Sequence, residues 1–419
     1  MIKQNRANDS GNAEGIISRR GNIFEGDRTL WMIYAVLIVL SILVVYSSTA
    51  KMVYDISSKM TSTDALRNQI MFVIMAVPMI YVVHKMDYHI FRRLTPLLYY
   101  LFILLTIAAY VVGSTTNGAA RWLPIGPFQF QPSEGLKIMT ILMLARCMES
   151  RQATINKIAL LPTSWHLTDP KQKRILKENT LPLLGPVVLS CIVILPAHTS
   201  SAVIIFLASV IMLYIGRVSV RELVKLVVLM SAAGIIGLSL LSAVGIGRGD
   251  TAGGRLASWV DEWTTDGKCT TVNQMSDTQR AMVAIHNGGL FGEGAGHSTS
   301  RVVVIHPESD YAYAFFVSEY GIVTALILML LYLWIFFRSI EICRRCSSPF
   351  PTLMTAGLGL LITIQALLHI LVQVNFIPET GQTLPLISRG GTSLLFTSIA
   401  IGMILSVSRT NEYNPKKRE

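Results

Sequence analysis

Long apolar runs separated by shorter polar stretches dominate this chain. Most approach the roughly 20 residues an α-helix needs to cross a bilayer. The pattern predicts about ten membrane-spanning helices: Thr29–Ser48, Gln69–His84, Thr95–Val112, Ser133–Met148, Leu181–Ala197, Ser201–Gly216, Leu223–Val244, Tyr311–Phe337, Thr352–Phe376 and Leu386–Val407. The second and fourth runs are short, and the fifth and sixth nearly touch at His198-Thr199-Ser200. The longest polar stretch, 245–310, precedes the eighth run. No cleavage-site pattern follows the first run, which therefore reads as a retained anchor. The expected fold is all-α, a polytopic integral membrane protein.

Composition agrees with that class. Of 419 residues, 52% are hydrophobic and only 15% charged, which excludes a soluble domain. Charge then orients the bundle. Most of the 36 Lys and Arg residues fall in the segments that a cytoplasmic N-terminus leaves inside, as the positive-inside rule requires. Both termini are then cytoplasmic, and the loop 245–310 is extracytoplasmic. Residues 1–28 read as a disordered cytoplasmic tail, 29–408 as the membrane domain and 409–419 as a short cytoplasmic tail. The net charge of +11 is largely this topological signal, suits anionic lipid headgroups and calls for no nucleic-acid partner. Of the five cysteines only Cys269 falls outside, so no internal disulfide forms there. Cys343 and Cys346 have CxxC spacing, but without a second pair this is weak evidence for zinc or redox chemistry.

Candidate chemistry collects towards the outer face. Glu134 and Lys137 lie at i, i+3 on one helix, so they can pair, holding helices together or lining a cavity. Arg121-Trp122 precedes that helix. Arg248, Arg255, Arg280 and Arg301 share the long loop with Trp259 and Trp263. Arginine forks match phosphate geometry and indole faces stack on sugars, although nearby Asp and Glu residues balance much of this charge. The glycine-dense Gly288–Gly296 has no βαβ context for a dinucleotide loop. It reads instead as a tight or re-entrant outer segment where backbone packs closely. His286, His297 and His306 lack ligand spacing. Asp310 closes the polar His306-Pro307-Glu308-Ser309-Asp310 just before an apolar run, where it could cap a helix or act as a base at the membrane surface.

The order of these pieces resembles the SEDS family (shape, elongation, division and sporulation), whose FtsW and RodA members polymerise peptidoglycan strands. The matching stretches are Gly118-Ala119-Ala120-Arg121-Trp122-Leu123, Gln131-Pro132-Ser133-Glu134 with Lys137, and Ala284 through Gly288-Gly289-Leu290-Phe291-Gly292 to Ser298. They continue with Ser309-Asp310-Tyr311-Ala312-Tyr313-Ala314, Glu319-Tyr320-Gly321, Gly381 through Ser388, and Gly390-Gly391-Thr392-Ser393. The resemblance spans 29–409 and implies a polymerase that uses lipid II at the outer membrane face by inverting glycosyl transfer, with the carboxylate of Asp310 as its base. It further implies that Arg121, Glu134, Lys137, Arg255, Ser388, Gly390 and Gly391 contact substrate. The departing pyrophosphate needs positive charge or a divalent cation such as Mg or Mn. The implied partners are a class B penicillin-binding protein and other division proteins, and the N-terminal extension favours an FtsW-like septal role over a RodA-like elongation role. A lipid II flippase and a non-catalytic scaffold for a transpeptidase are the rival readings. The chain departs from the family pattern at Ala197-His198, where an acid is usual, at Arg280 in place of Gln, and at Arg389 in place of Tyr.

Overall fold

A computed structural model describes residues 24–49, 62–116, 119–125, 128–155, 176–196, 198–244, 249–264, 275–304 and 306–413. The helices that match the apolar runs are α1 (Arg28–Thr49), α2 (Ser62–Lys85), α3 (Tyr88–Val112), α4 (Pro132–Glu149), α5 (Leu181–Ile194), α6 (Thr199–Ile215) and α7 (Val220–Val244). After the outer-loop helices α8 (Gly249–Thr264), α9 (Asp277–Gly288) and α10 (Ser300–Val303) come α11 (Ala312–Arg344), α12 (Pro349–Gln373) and α13 (Gly391–Tyr413). Among the described residues, eight helices are long and apolar enough to cross a membrane. The remaining apolar runs fall short for physical reasons. Helix α6 has 17 residues, and α4 carries Glu134, Lys137, Arg146 and Glu149 within its 18.

Enclosure varies across the bundle. Of the apolar stretch of α7, 11% is buried, against 83% for α12 and for α13. Exposed Val224, Val228, Ile235 and Ile236 on α7 suit a lipid surface, because lipid tails are as apolar as the side chains they meet. At one end of the bundle, polar contacts gather the helix termini. Arg338 Nε donates to Asp27 Oδ2 at 3.0 Å, and Glu25 Oε2 meets Lys85 Nζ at 3.0 Å and Arg409 Nη1 at 3.8 Å. Asp27 also caps α1, accepting from the Leu30 N–H at 2.9 Å.

Two expected boundaries shift. Helix α13 continues to Tyr413 instead of ending near residue 408, because Arg409 Nη2 donates to the Lys85 carbonyl at 2.8 Å and Thr410 back-bonds to Ser406. The Arg121-Trp122 segment is not a plain loop. Strands β1 (Ser114–Thr116), β2 (Ala119–Ile125) and β3 (Phe128–Phe130) form a small antiparallel sheet in that order, which satisfies the backbone between α3 and α4. Of the expected disordered tail 1–28, residues 24–28 are ordered through the Glu25 and Asp27 contacts, while 1–23, the cytoplasmic-tail residues 414–419 and most of the polar stretch after α4 (156–175) lie outside the described residues.

The glycine-dense segment packs backbone against backbone, the tight approach its composition predicted. Helix α11 breaks at Gly321, where φ is 81°. A break in a membrane helix strands backbone groups that cost several kcal/mol each if unpaired in lipid. Here the loop after α9 pairs them. The N–H groups of Glu293 and Gly294 donate to the Ser318 and Glu319 carbonyls at 2.9 and 3.0 Å, while the Ile322 and Val323 N–H groups donate to the Gly289 and Leu290 carbonyls at 3.0 and 3.3 Å. So close an approach excludes side chains: a Cβ on Gly321 would lie 2.3 Å from the Leu290 oxygen, and one on Gly292 2.2 Å from the Glu319 oxygen. Gly321→Ala should therefore destabilise by at least the roughly 1–3 kcal/mol of a strained backbone position. Gly185→Ala, where a Cβ meets nothing within 4 Å, should be neutral. Thermal unfolding in detergent reads the contrast, and equal midpoints for the two variants would refute it.

Candidate active site

Asp310 sits in the turn 306–311 that leads into α11, half-buried at the edge of a cavity of about 700 Å³. The N-cap position of α11 falls to Tyr311, whose side chain makes no cap bond, so Asp310 stands one residue earlier. The Ala314 N–H of the first turn donates instead to Gln373 Oε1 at 3.3 Å.

Three walls close the cavity. Arg67, Gln69 and Phe72 come from the outer part of α2, Trp122, Gln129 and Gln131 from the sheet and the start of α4, and Thr383, Arg389, Gly390, Gly391 and Ser393 from the segment entering α13. His306, Glu308, Ser309 and Asp310 supply the remaining side. The glycines of the α13 entry leave room for neighbours. A Cβ on Gly391 would lie 2.3 Å from the Phe72 ring, and one on Gly390 3.3 Å from Thr383.

Charges in the turn are interlocked. Glu308 Oε1 lies 3.9 Å from His306 Nδ1 and 4.0 Å from Arg389 Nη1. Burial pushes the Glu308 carboxyl up, but its pairing with His306, a backbone bond and the positive charge of Arg389 outweigh it, holding the pKa below the usual range. His306 is raised, first by its pairing with Glu308 and further by the charges of Asp310 and Asp277, against the opposing effect of burial. The stabilisation from that pairing is fully present below the free imidazole pKa of about 6.5 and is lost as pH rises through the raised value. Glu379, beyond the turn, is raised by burial, and Asp277 and Asp310 add to this while Arg255 opposes it.

The sequence-derived candidates divide. Asp310, Gly390 and Gly391 line this cavity. Ser388 does not. Its hydroxyl donates to the Ser309 carbonyl at 2.8 Å and accepts from the Leu384 N–H at 2.9 Å, so it holds the backbone behind the cavity. Glu134 and Lys137 are buried beneath the cavity lining, not in it. Lys137 Nζ lies 2.9 Å from Glu134 Oε1 and 2.9 Å from Gln365 Oε1, with 2% and 8% of the Lys137 and Glu134 side chains exposed. Arg255 lines a separate cavity of about 350 Å³ with Leu256, Pro378 and Glu379, 3.9 Å from the Glu379 carboxylate; His198 borders both cavities. Arg121 lies on β2, and its side chain is outside the described residues, as are Arg248 and the side chain of Arg301. Arg280 and Trp259 are on α9 and α8 away from the cavity, with Trp259 Nε1 donating to the Asn375 carbonyl at 3.2 Å.

The residues missed were Arg67, Gln69 and Phe72. Their signal was the polar Arg67-Asn68-Gln69 just before an apolar run. Arg389 stood out only as a departure from a pattern, yet it lines the cavity and ties down the turn. Among the described residues, no group of three or more His, Cys, Asp or Glu side chains is placed to hold a metal ion. The carboxylates of the cavity are Glu308 and Asp310, and its positive charge comes from Arg67 and Arg389, with His306 when protonated.

A multi-span membrane bundle with a charged cavity at its helix ends, lined by the carboxylates Glu308 and Asp310 and by Arg67 and Arg389, defines the class. Within it, the profile described as "Cell cycle protein", which covers FtsW, RodA and SpoVE, matches residues 27–413, and the chain belongs to that family. Stage V sporulation protein E of Bacillus subtilis is 25% identical over 391 residues, covering 92% of this chain and 98% of that one. A probable peptidoglycan glycosyltransferase FtsW of Coxiella burnetii is 29% identical over 315 residues, covering 74% and 76%. A solved chain from a peptidoglycan synthase complex that coordinates polymerization and crosslinking shares the fold, with a TM-score of 0.65 at 20% identity over 92% of this chain and 98% of that one.

Proposed function

We propose that this protein polymerises peptidoglycan glycan strands from lipid II at the outer face of the cytoplasmic membrane. The observation that carries the reading is one carboxylate, Asp310, sharing a cavity of about 700 Å³ with Arg67 and Arg389 in a chain of this family. The 4-hydroxyl of the acceptor's GlcNAc attacks C1 of the donor's MurNAc. The bond to pyrophosphate breaks as the new glycosidic bond forms, and the anomeric carbon inverts from α to β. Asp310 takes the hydroxyl proton as attack proceeds. Arg67 and Arg389 offset the charge that develops on the departing undecaprenyl pyrophosphate.

Reconstitution of the purified chain with fluorescent lipid II tests this. Glycan ladders support polymerisation; translocated lipid without ladders, or neither, overturns it. The flippase reading draws little from the bundle, since the intramembrane Glu134–Lys137 pair is enclosed and engaged with Gln365. By the distribution of Lys and Arg, both termini are cytoplasmic.

The partner we infer is a class B penicillin-binding protein, at the division septum. Its support is the family membership and the relative named FtsW, together with a fold shared with a chain of a synthase complex. Adding the host's cognate transpeptidase should raise the polymerisation rate, and labelled protein should concentrate at midcell. Equal rates with and without every such protein, or uniform labelling of the side wall, would refute these assignments.

A further inference from the structure

Three successive carbonyls of the turn that carries Asp310 are held by three different donors. The Arg389 N–H donates to the Glu308 carbonyl at 2.7 Å, Ser388 Oγ to the Ser309 carbonyl at 2.8 Å, and Gln373 Nε2 to the Asp310 carbonyl at 2.7 Å. Arg389 and Ser388 belong to the segment entering α13. Gln373 belongs to α12 and stands apart, because its amide oxygen also accepts from the Ala314 N–H at 3.3 Å. One fully buried side chain therefore spans the start of α11, gripping the turn on one side and the first helical turn on the other.

Gln373 is the outermost member of a polar stripe on α12. Gln365, His369 and Gln373 recur every four residues and so face one side of the helix. Gln365 Nε2 donates to the Thr383 carbonyl at 3.1 Å, and His369 Nδ1 donates to the Gln382 carbonyl at 2.7 Å. All are thus engaged with the backbone of the cavity wall or of the turn. A buried amide carries a desolvation penalty that a leucine of similar size would not, so packing alone does not explain glutamine here.

We infer that Gln373 is a positioning residue for the transfer reaction: it fixes the peptide plane between Asp310 and Tyr311 and with it the direction in which the Asp310 carboxylate points. The inference rests on Asp310 being the base. A displacement of about 1 Å from reactive geometry costs on the order of 10²-fold in rate, so loss of this clamp should reach turnover before it reaches binding.

The test uses the full chain with its transpeptidase partner and measures lipid II polymerisation across pH 5.5 to 8.5. Gln373→Leu should fold and lower kcat by about 10- to 100-fold while KM for lipid II stays within about twofold. Gln373→Glu supplies the sharper readout. When neutral, its carboxyl can donate to the Asp310 carbonyl and accept from Ala314 as the amide does; when ionised, it sets negative charge against that carbonyl. Its rate relative to the unsubstituted protein should therefore climb as pH falls. His306, Glu308 and Glu379 titrate in both proteins, and taking the ratio at each pH removes the part of their effect that is common to both. A ratio that stays flat across pH overturns the inference, whether or not the leucine variant folds. So does a folded leucine variant whose loss lies wholly in KM. Asp310→Asn run alongside separates the levels. Normal ladders from it remove the base reading and this inference together, whereas a silent Asp310→Asn beside fully active Gln373 variants removes the inference alone.

Discussion

Asp310→Asn should give a folded protein that binds lipid II and makes no glycan. Asn is nearly the same size and serves helix starts about as well as Asp, so the substitution leaves the entry to α11 in place and removes only the ability to take a proton. The N-cap position of α11 belongs to Tyr311, and the Ala314 N–H is held by Gln373. A positioned general base contributes about 10²–10⁴-fold in rate, enough for ladders to disappear from a gel. Thermal unfolding and a lipid II binding assay on the same preparation confirm that fold and binding survive. Full-length ladders from Asp310→Asn would return the residue to a structural role.

Lys137→Ala should be nearly as damaging, but through the fold. Lys137 is 2% exposed, with Glu134 and Gln365 each at 2.9 Å. Removing it leaves the Glu134 carboxylate buried and without its countercharge, which typically costs about 3–5 kcal/mol. We expect low yield of folded protein and a depressed unfolding midpoint. The double variant Glu134→Gln with Lys137→Met removes both charges, and should recover much of the loss, because a buried pair replaced as a unit is often close to neutral. A Lys137→Ala protein of full stability, or a double variant worse than the single one, would contradict this account.

How far this was readable from the chain depended on the distance over which each feature is encoded. Spans are local, and every apolar run found its helix. The tight packing of Gly288–Gly296 was also local, since glycine density signals close backbone approach. Its partner, the break at Gly321, could not be inferred, because the pairing joins separate elements. Strands as short as Ser114–Thr116 and Phe128–Phe130 carry no periodicity strong enough to separate them from loop. The position of Asp310 at the start of a helix was visible as a polar stretch meeting an apolar one. What holds it was not: Gln373 and Ser388 reach the turn from 63 and 79 residues away along the chain. For the same reason the protein partners of Ser388, Glu134 and Lys137, and the placement of Arg255 beside Glu379 in a neighbouring cavity, could not be read from the chain.

The break at Gly321 divides α11 into a short piece and a long one. The loop 289–294 is bonded to the backbone on both sides of the break, to residues 318–319 of the short piece and to 322–323 of the long one, which runs on to Arg344 against α12. The loop is thus a splint across the break, and Asp310 rides at the tip of the short piece. A force applied to that loop from outside the membrane would be carried into both arms of the helix at once, so the break at Gly321 acts as a braced joint and not as a free hinge.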